Sequence, residues 1–392
     1  MTTSQSDATT AAAPFDTTDF LRRISMDRAS PYDLWTQSIG IPIHEGYFAE
    51  DVRTIDLGWW EERQCYAAFL KLVGQEGVTE ARVTEIPPGK TLPPMKFALD
   101  EVVYVIEGNG LTTVSIENKD PKKTFEWTKH SLFMIPRNIT FEMTNAQGTR
   151  PVRLLHYNSL PVSMRILPDP SAYFNGNNLP MVENVVSSEG GGLYGAAQAV
   201  QQPNRPDGTP GMGYWIGNFF PDMKAWDKLA AFRGRGAGGH VVWIRYPGAM
   251  MVNHMSVFPS RTYKKAHRHG PGVVIIIPDG EGFSVMWPEG GEKVVIPWHE
   301  GSVFVPPDRW FHQHFNVGGE PARYLAFHGP QLSNRGYAER VQRASDQIEY
   351  PEEEAWIREK FEGELATRGL TTLMPDEAYK DATYEWAYKE GE

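Results

Sequence analysis

Apolar residues along the chain gather in short runs rich in Val, Ile, Phe and Tyr, each closed by Gly, Pro or Asn, as in VVYVIEGNG, FMIPRNITF, VVIIIPDGEG and SVFVPPDRWF. Such runs predict short strands, and the punctuation between them predicts tight turns. Many short strands without helical pattern between them suit an antiparallel sandwich or barrel, not a sheet that alternates with helices. Helical signals are confined to the ends. Asp19 to Tyr47 reads as a partly helical arm, with Asp33, Leu34 and Trp35 following Pro31. Pro351 opens a second helix: proline suits a first turn, Glu352, Glu353 and Glu354 suit the helix dipole, and Ile357, Phe361 and Leu365 share one stripe.

The strand pattern occurs twice. Arg82 to Leu111 matches His254 to Phe283, aligning Pro87 with Pro259, Val102 with Val274, Gly108 with Gly280 and Gly110 with Gly282. The stretch from His130 (HSLFMIPRNITFEMTN) matches that from Gly301 (GSVFVPPDRWFHQHFN), and Pro151-Val-Arg-Leu-Leu matches Pro321-Ala-Arg-Tyr-Leu. The register slips by single residues between blocks, as duplication followed by loop trimming leaves it. The copies differ where chemistry would sit: the second holds His267, His269 and His312 in the slots where the first holds Met95, Phe97 and Phe141. The expected division is a tail and N-terminal arm (1–59, its first 15 or so residues of disordered composition), a first barrel without metal ligands (60–165), a Gly/Pro-rich connector (166–239), a second, metal-binding barrel (240–335) and a helical C-terminal extension (336–392). The connector is expected to cover a barrel mouth, because so long a connection in a compact protein is usually functional or interfacial.

These residues resemble the cupin superfamily. Its first motif, a glycine, an H-x-H pair, a glutamate and a closing glycine, lands on Arg261, His267, His269, Val273 and Gly280; its second lands on Gly301, Pro307, Arg309, His312 and Asn316. In the first copy the same slots read Gly89, Met95, Phe97, Glu101 and Gly108, then His130, Pro136, Asn138, Phe141 and Asn145. The resemblance implies an all-β bicupin, two jelly-roll barrels in one chain, with helical extensions, and a homo-oligomer. Val273 stands where a cupin usually places a ligand glutamate, and Arg261 and Arg309 replace motif glycines, which leaves the conformation of those loops open. Glu101 survives in the copy that lacks the histidines, with no imidazole expected beside it. A first barrel plugged by Met95, Phe97 and Phe141 is expected to contribute stability and oligomer contacts, not catalysis.

Two histidines spaced by one residue on a strand face the same side, so His267 and His269 pair, as do His312 and His314 on a later strand. Three imidazoles on one face of an ion leave coordination positions open, which is a catalytic and not a closed structural arrangement. A lone histidine would read as an ordinary hydrogen-bonded residue; His267, His269 and His312 together, with a duplicate copy as control, read as metal ligands. His314 is a candidate catalytic residue, its alternative being an ordinary strand position. Arg309, Arg245, Trp310, His254 and Arg323 are candidates for substrate contact, the arginines as bidentate carboxylate clamps. Arg323 has a counterpart in Arg153, which points to a structural role. Ile275, Ile277, Phe304, Trp310 and Phe315 offer apolar walls or plain core.

A site of neutral imidazoles leaves a divalent ion its full charge and suits an anionic, chelating substrate. Among cupins the missing glutamate resembles gentisate 1,2-dioxygenase-like ring-cleaving dioxygenases, which implies Fe(II), O2 and a small hydroxylated aromatic or other chelating acid. The alternatives are a Mn-, Zn- or Ni-dependent hydrolase, isomerase or lyase, and a non-catalytic small-molecule-binding bicupin. Substrate, metal and subunit number are not fixed by these residues.

Composition narrows the partners. The 392 residues, 41% of them hydrophobic, suffice for more than one core, and 38 basic against 49 acidic side chains give a net charge of −11 with no basic cluster beyond Lys122-Lys123 and Lys264-Lys265, so nucleic acid is a poor partner and none is expected. Cys65 is the single cysteine, so no intrachain disulfide forms. The start MTTSQSDATTAAAP is polar and no apolar run is long enough to span a bilayer, so the expected location is cytoplasmic, without a membrane partner.

Overall fold

Strands form where the short apolar runs place them, and they assemble into two barrels. The structure, a computed structural model, describes residues 29–116, 119–176, 193–201, 203, 213–226, 230–231, 234–329 and 345–386. The expected disordered tail, and much of the connector, lie outside the described residues.

The first barrel joins an eight-stranded sheet to a four-stranded one. The larger runs in the order Ile43–Gly46, Cys65–Leu72, Glu80–Ile86, Val152–Asn158, Glu101–Glu107, Leu132–Ile135 and Phe219–Phe220, with Gly58–Trp60 beside Cys65–Leu72. The smaller contains Met95–Lys96, Thr140–Asn145, Asn109–Ile116 and Lys119–Thr128. The second barrel repeats this order: Gly213–Ile216, His240–Arg245, Val252–Phe258, Ala322–His328, Val274–Asp279, Val303–Phe304 and Phe48–Ala49 in the larger sheet, then Val294–Trp298, Gly282–Trp287, Phe311–Asn316, Ala266–His267 and Gln347–Ile348 in the smaller. The all-β, two-barrel architecture expected from the sequence is the one observed.

The barrels exchange strands. Phe48–Ala49, which lies in the chain between two strands of the first barrel, pairs with Val303 and Phe304 of the second, and Phe219–Phe220, from the connector, pairs with Leu132 and Phe133 of the first. Matching hydrogen bonds follow each crossing: the Val52 N–H donates to the Gly301 carbonyl, and the Met223 N–H donates to the carbonyl of His130, the residue aligned with Gly301, both at 2.9 Å. The connector from Gly213 to Phe220 is therefore the opening of the second repeat, and its Phe219–Phe220 strand extends the first barrel's larger sheet.

The two larger sheets pack face to face. Leu70, Leu72, Val83, Tyr104 and Leu155 of one meet Ile244, Met255, Ile276, Leu325 and Phe327 of the other, all nearly excluded from solvent. Burying each such side chain contributes about 1.5–3 kcal/mol relative to exposure. The aligned glycines have one job in both copies: a Cβ at Gly110 would strike the Thr144 carbonyl and Trp127, and one at Gly282 would strike the Phe315 carbonyl and Trp298.

At the N-terminal end, Ser30 caps the helix Pro31–Ile39, its hydroxyl accepting from the Asp33 N–H at 3.1 Å while the Asp33 carboxylate accepts from the Ser30 N–H. The helix expected after Pro351 starts later, at Ala355, behind a single 3-10 turn over Tyr350–Glu352. Its stripe of Ile357, Phe361 and Leu365 is buried against Tyr263, Phe283 and Phe315 on the outer face of the second barrel's smaller sheet.

Candidate metal centre

His267 ends the short strand Ala266–His267, His269 follows in the loop, and His312 lies on strand Phe311–Asn316, directly opposite His267 in register. Their ring centroids are 4.3 Å (His267 to His312), 4.5 Å (His269 to His312) and 6.0 Å (His267 to His269) apart. One nitrogen from each lies within 4.8 Å of the other two. Each ring also turns Nδ1 toward a backbone carbonyl: Lys265 at 3.3 Å for His267, Gly270 at 2.8 Å for His269 and Trp310 at 3.2 Å for His312. A carbonyl can only accept, so the proton sits on Nδ1 and the Nε2 lone pair is free for an ion. Burial, followed for His267 by the Arg235 charge and for His312 by neighbouring imidazoles, holds both rings well below the usual histidine range. Burial likewise lowers His269, to about 4. All three are neutral near pH 7, as metal ligation requires.

Around these rings stands a further group of buried polar side chains. His314 points into the same barrel, and its Nδ1 lies 2.8 Å from the Ser284 hydroxyl, which itself accepts from the Trp298 indole at 3.0 Å. The Ser284 hydrogen is thus best used by His314 Nδ1, leaving a proton on the far nitrogen of that ring. His254, named from the sequence for substrate contact, lies 2.8 Å from His328, nitrogen to nitrogen, with the Trp243 ring 4.7 Å away on one side. The His328 ring is 6.5 Å from that of His269. Burial pushes both His314 and His328 down to about 3. Lys264 is fully buried, its ammonium nitrogen against the Ser256 hydroxyl and 3.3 Å from the Tyr324 hydroxyl, and burial lowers its pKa strongly.

Sequence reading passed over His328, Lys264 and Arg235. His328 was accessible in principle: Tyr324, Ala326 and His328 alternate along Ala322–His328, so all three face the interior. Arg235 lies in the Gly-rich connector, where no periodicity marks it; its charge acts on all three ligand rings, and its side chain donates to Gln347 at 2.9 Å.

The other candidates fall in different places. Trp310 is partly buried near the loop to His312 and lies 6.0 Å from Tyr47, ring to ring. Arg309 is paired with Asp346 through two nitrogens at 2.5 and 3.1 Å. Arg323 donates to the Trp226 carbonyl at 2.9 Å, as its counterpart Arg153 donates to the carbonyls of Val52 and Ile55, so both hold an exchanged segment. Arg245 is exposed at a strand end, over the Tyr214 ring at 5.3 Å. Ile275, Ile277 and Phe304 form the barrel core with Trp298 and Tyr324, whereas Phe315 faces outward onto Tyr263 and Phe361. Arg261 and Arg309 adopt φ of 56° and 61°, so both loops keep the left-handed conformation of the glycines they replace.

In the first barrel Met95, Phe97 and Phe141 do fill the ligand slots and are buried. The expectation that Glu101 has no imidazole beside it is corrected: His156 Nδ1 lies 3.0 Å from one Glu101 oxygen, and Arg82 donates to the other at 2.6 Å. Although burial opposes it, the Arg82 guanidinium and then His156 hold Glu101 well below the usual carboxylate range. His156 escaped notice because it lies on the strand after the second motif, aligned with Ala326. A carboxylate so engaged is a structural anchor.

No known family matches the chain by sequence, and no curated protein is similar to it in sequence. Among solved structures it is similar to a Bacillus subtilis oxalate decarboxylase mutant (13% identity, 73% of this chain and 78% of that one, TM-score 0.44). It is similar too to a Lactobacillus farciminis oxalate decarboxylase in complex with formate (14%, 73% and 87%, 0.46) and to the Bacillus subtilis enzyme at pH 4.6 (12%, 75% and 82%, 0.44). Likeness at this level bears on neither substrate nor metal. No helix among the described residues is long and apolar enough to cross a membrane.

Proposed function

We propose that the second barrel binds one divalent transition metal through Nε2 of His267, His269 and His312, and that the protein is a metal-dependent enzyme acting on a small anionic substrate that chelates the ion. The observation that carries this reading is the shared posture of the three rings, each with Nδ1 on a backbone carbonyl and all neutral. A bound ion would act as a Lewis acid toward the chelated substrate. The chain's own residues do the rest. Val273 adds no negative charge, so the centre attracts an anion. The Arg235 charge near the rings works in the same direction. Ile275, Ile277 and Phe304 exclude water from the barrel below.

The hydrogen-bonded His254–His328 pair beside His269 can pass a proton along its nitrogen-to-nitrogen axis, which favours O2-independent proton-transfer chemistry: a lyase, hydrolase or isomerase with Mn, Zn or Ni. A second reading, an Fe(II) dioxygenase cleaving a hydroxylated aromatic or other chelating acid, is favoured by the three-imidazole donor set without a carboxylate. Turnover of a panel of small carboxylic acids and catechols, with and without O2, by protein loaded with each metal separates the two. Metal-dependent turnover without O2 supports the first, and oxygen uptake with Fe(II) supports the second. A protein that binds metal but turns over nothing in either condition returns the chain to a small-molecule-binding role.

A further inference from the structure

The segments that carry the three ligands are joined from outside the barrel by the chain that follows it. Strand Gln347–Ile348 adds to the edge of the smaller sheet, with Gln347 opposite His267 and Ile348 opposite Ala266. One residue earlier, the Asp346 carbonyl accepts from the N–H of Arg268, the residue between two ligands, at 3.0 Å. The Asp346 carboxylate then receives Arg268 Nε at 3.1 Å and the Arg309 guanidinium at 2.5 and 3.1 Å. Arg309 in turn gives its own N–H to the His269 carbonyl at 2.9 Å and lies in the loop that leads into His312. A single carboxylate thus ties the His267–His269 loop to the His312 loop.

The first barrel supplies the comparison within the same molecule. There too the chain after the barrel passes the equivalent strand, with Phe174 bridging to Phe97 and the Asn175 N–H donating to the Lys96 carbonyl at 2.7 Å. The side-chain contact, however, is neutral: the Asn175 side-chain oxygen accepts the Lys96 N–H at 2.9 Å. Asn138 occupies the slot of Arg309 with the same left-handed backbone, φ 64°, and its N–H reaches the Phe97 carbonyl at 2.7 Å. The backbone architecture is common to both barrels, whereas the Arg268–Asp346–Arg309 clamp occurs in the barrel that carries the His267–His269–His312 cluster.

We propose that Asp346 is a positioning residue for the metal centre, holding His269 and His312 at coordinating separation through Arg268 and Arg309; this rests on the metal reading above. Loops leave ligand rings free to drift, and a metal site tolerates displacements of only about 0.5 Å. Asp346 reaches the ligands through Arg268 and Arg309, and loss of the groups that orient metal ligands typically changes affinity 10- to 100-fold.

The test uses the full chain and Co(II) as the probe, read by affinity and by the visible absorption of the bound ion. D346A is expected to weaken Co(II) binding about 10- to 100-fold and to alter the absorption. Its metal-free melting temperature should stay near that of the parent, since ion pairs that water still reaches add little stability. D346E, which keeps the charge, should recover most of the affinity. Parental affinity and absorption in D346A would overturn the proposal. Should D346A fail to fold, R309Q, which leaves the strand pairing and the Arg268 contact in place, carries the same expectation and is overturned by the same result. A parent protein that binds no Co(II) overturns the metal reading and this inference with it.

Discussion

At the scale of single residues, the protein accepts local cost to keep the loop geometry of its ligand-bearing barrel. Arg261 and Arg309 hold left-handed backbone that glycine adopts freely, at about 1–2 kcal/mol each. Arg309 draws a return through Asp346, whereas among the described residues no hydrogen bond or ion pair of the Arg261 side chain offsets the strain. Arg261→Gly should therefore stabilise the chain by up to about 1 kcal/mol, the relief of strain exceeding the added freedom of the unfolded state. Urea denaturation checks this, and a destabilised variant would show that Arg261 is anchored by something other than its backbone. His267, His269 and His312 were legible in the sequence because the duplicate copy exposes what a barrel without ligands looks like. Asp346 was not, since its role depends on a strand pairing that two residues of β pattern cannot announce. Nor could spacing reveal that Arg309 turns toward a carboxylate and not toward a substrate.

At the scale of elements, the most revealing features are the shortest. The exchanged strands Phe48–Ala49 and Phe219–Phe220 are too brief for alternation to mark them, so the connector reads as loop although it opens the second repeat. The long elements were readable: the C-terminal helix has its stripe where the spacing puts it, displaced only at its start by the turn that contains Pro351. This helix backs the strands of the three-histidine cluster from outside the barrel, because Phe361, fully buried, packs on Tyr263 at 4.9 Å and on Phe315 at 5.9 Å, close along the chain to Lys264 and His314. Phe361→Ala should cost about 3–5 kcal/mol of stability. It should also weaken Co(II) binding more than an equally destabilising substitution in the first barrel, such as Phe133→Ala. Equal affinities in those two variants would show that the helix stabilises the barrel without bearing on the ligands.

At the scale of the whole molecule, one barrel interior became an ionic and apolar anchor while the other gathered imidazoles, and the two differ in how they respond to acid. Burial holds His269 at about 4 and His314 and His328 at about 3, against about 6.5 for an unperturbed histidine. As pH falls below about 6.5 the unfolded chain takes up protons that the folded chain refuses, so stability present above that pH is lost progressively toward pH 4. Each such imidazole contributes a slope of about 1.4 kcal/mol per pH unit in that window. Glu353, raised to about 8 mainly by burial, acts in the opposite sense, losing stability as pH rises from the normal carboxyl range through 8, and is outnumbered. Urea midpoints of metal-free protein between pH 7 and 4.5 should fall steadily, whereas a flat profile would mean that the imidazoles are not buried as neutral rings. The most direct measurement of the central claim is metal stoichiometry in the full-length chain, by elemental analysis after dialysis against Mn(II) or Co(II). One ion per chain, lost in His267→Ala and in His312→Ala but retained in Phe141→His, is the predicted result. No bound metal, or stoichiometry indifferent to both alanine substitutions, would contradict it.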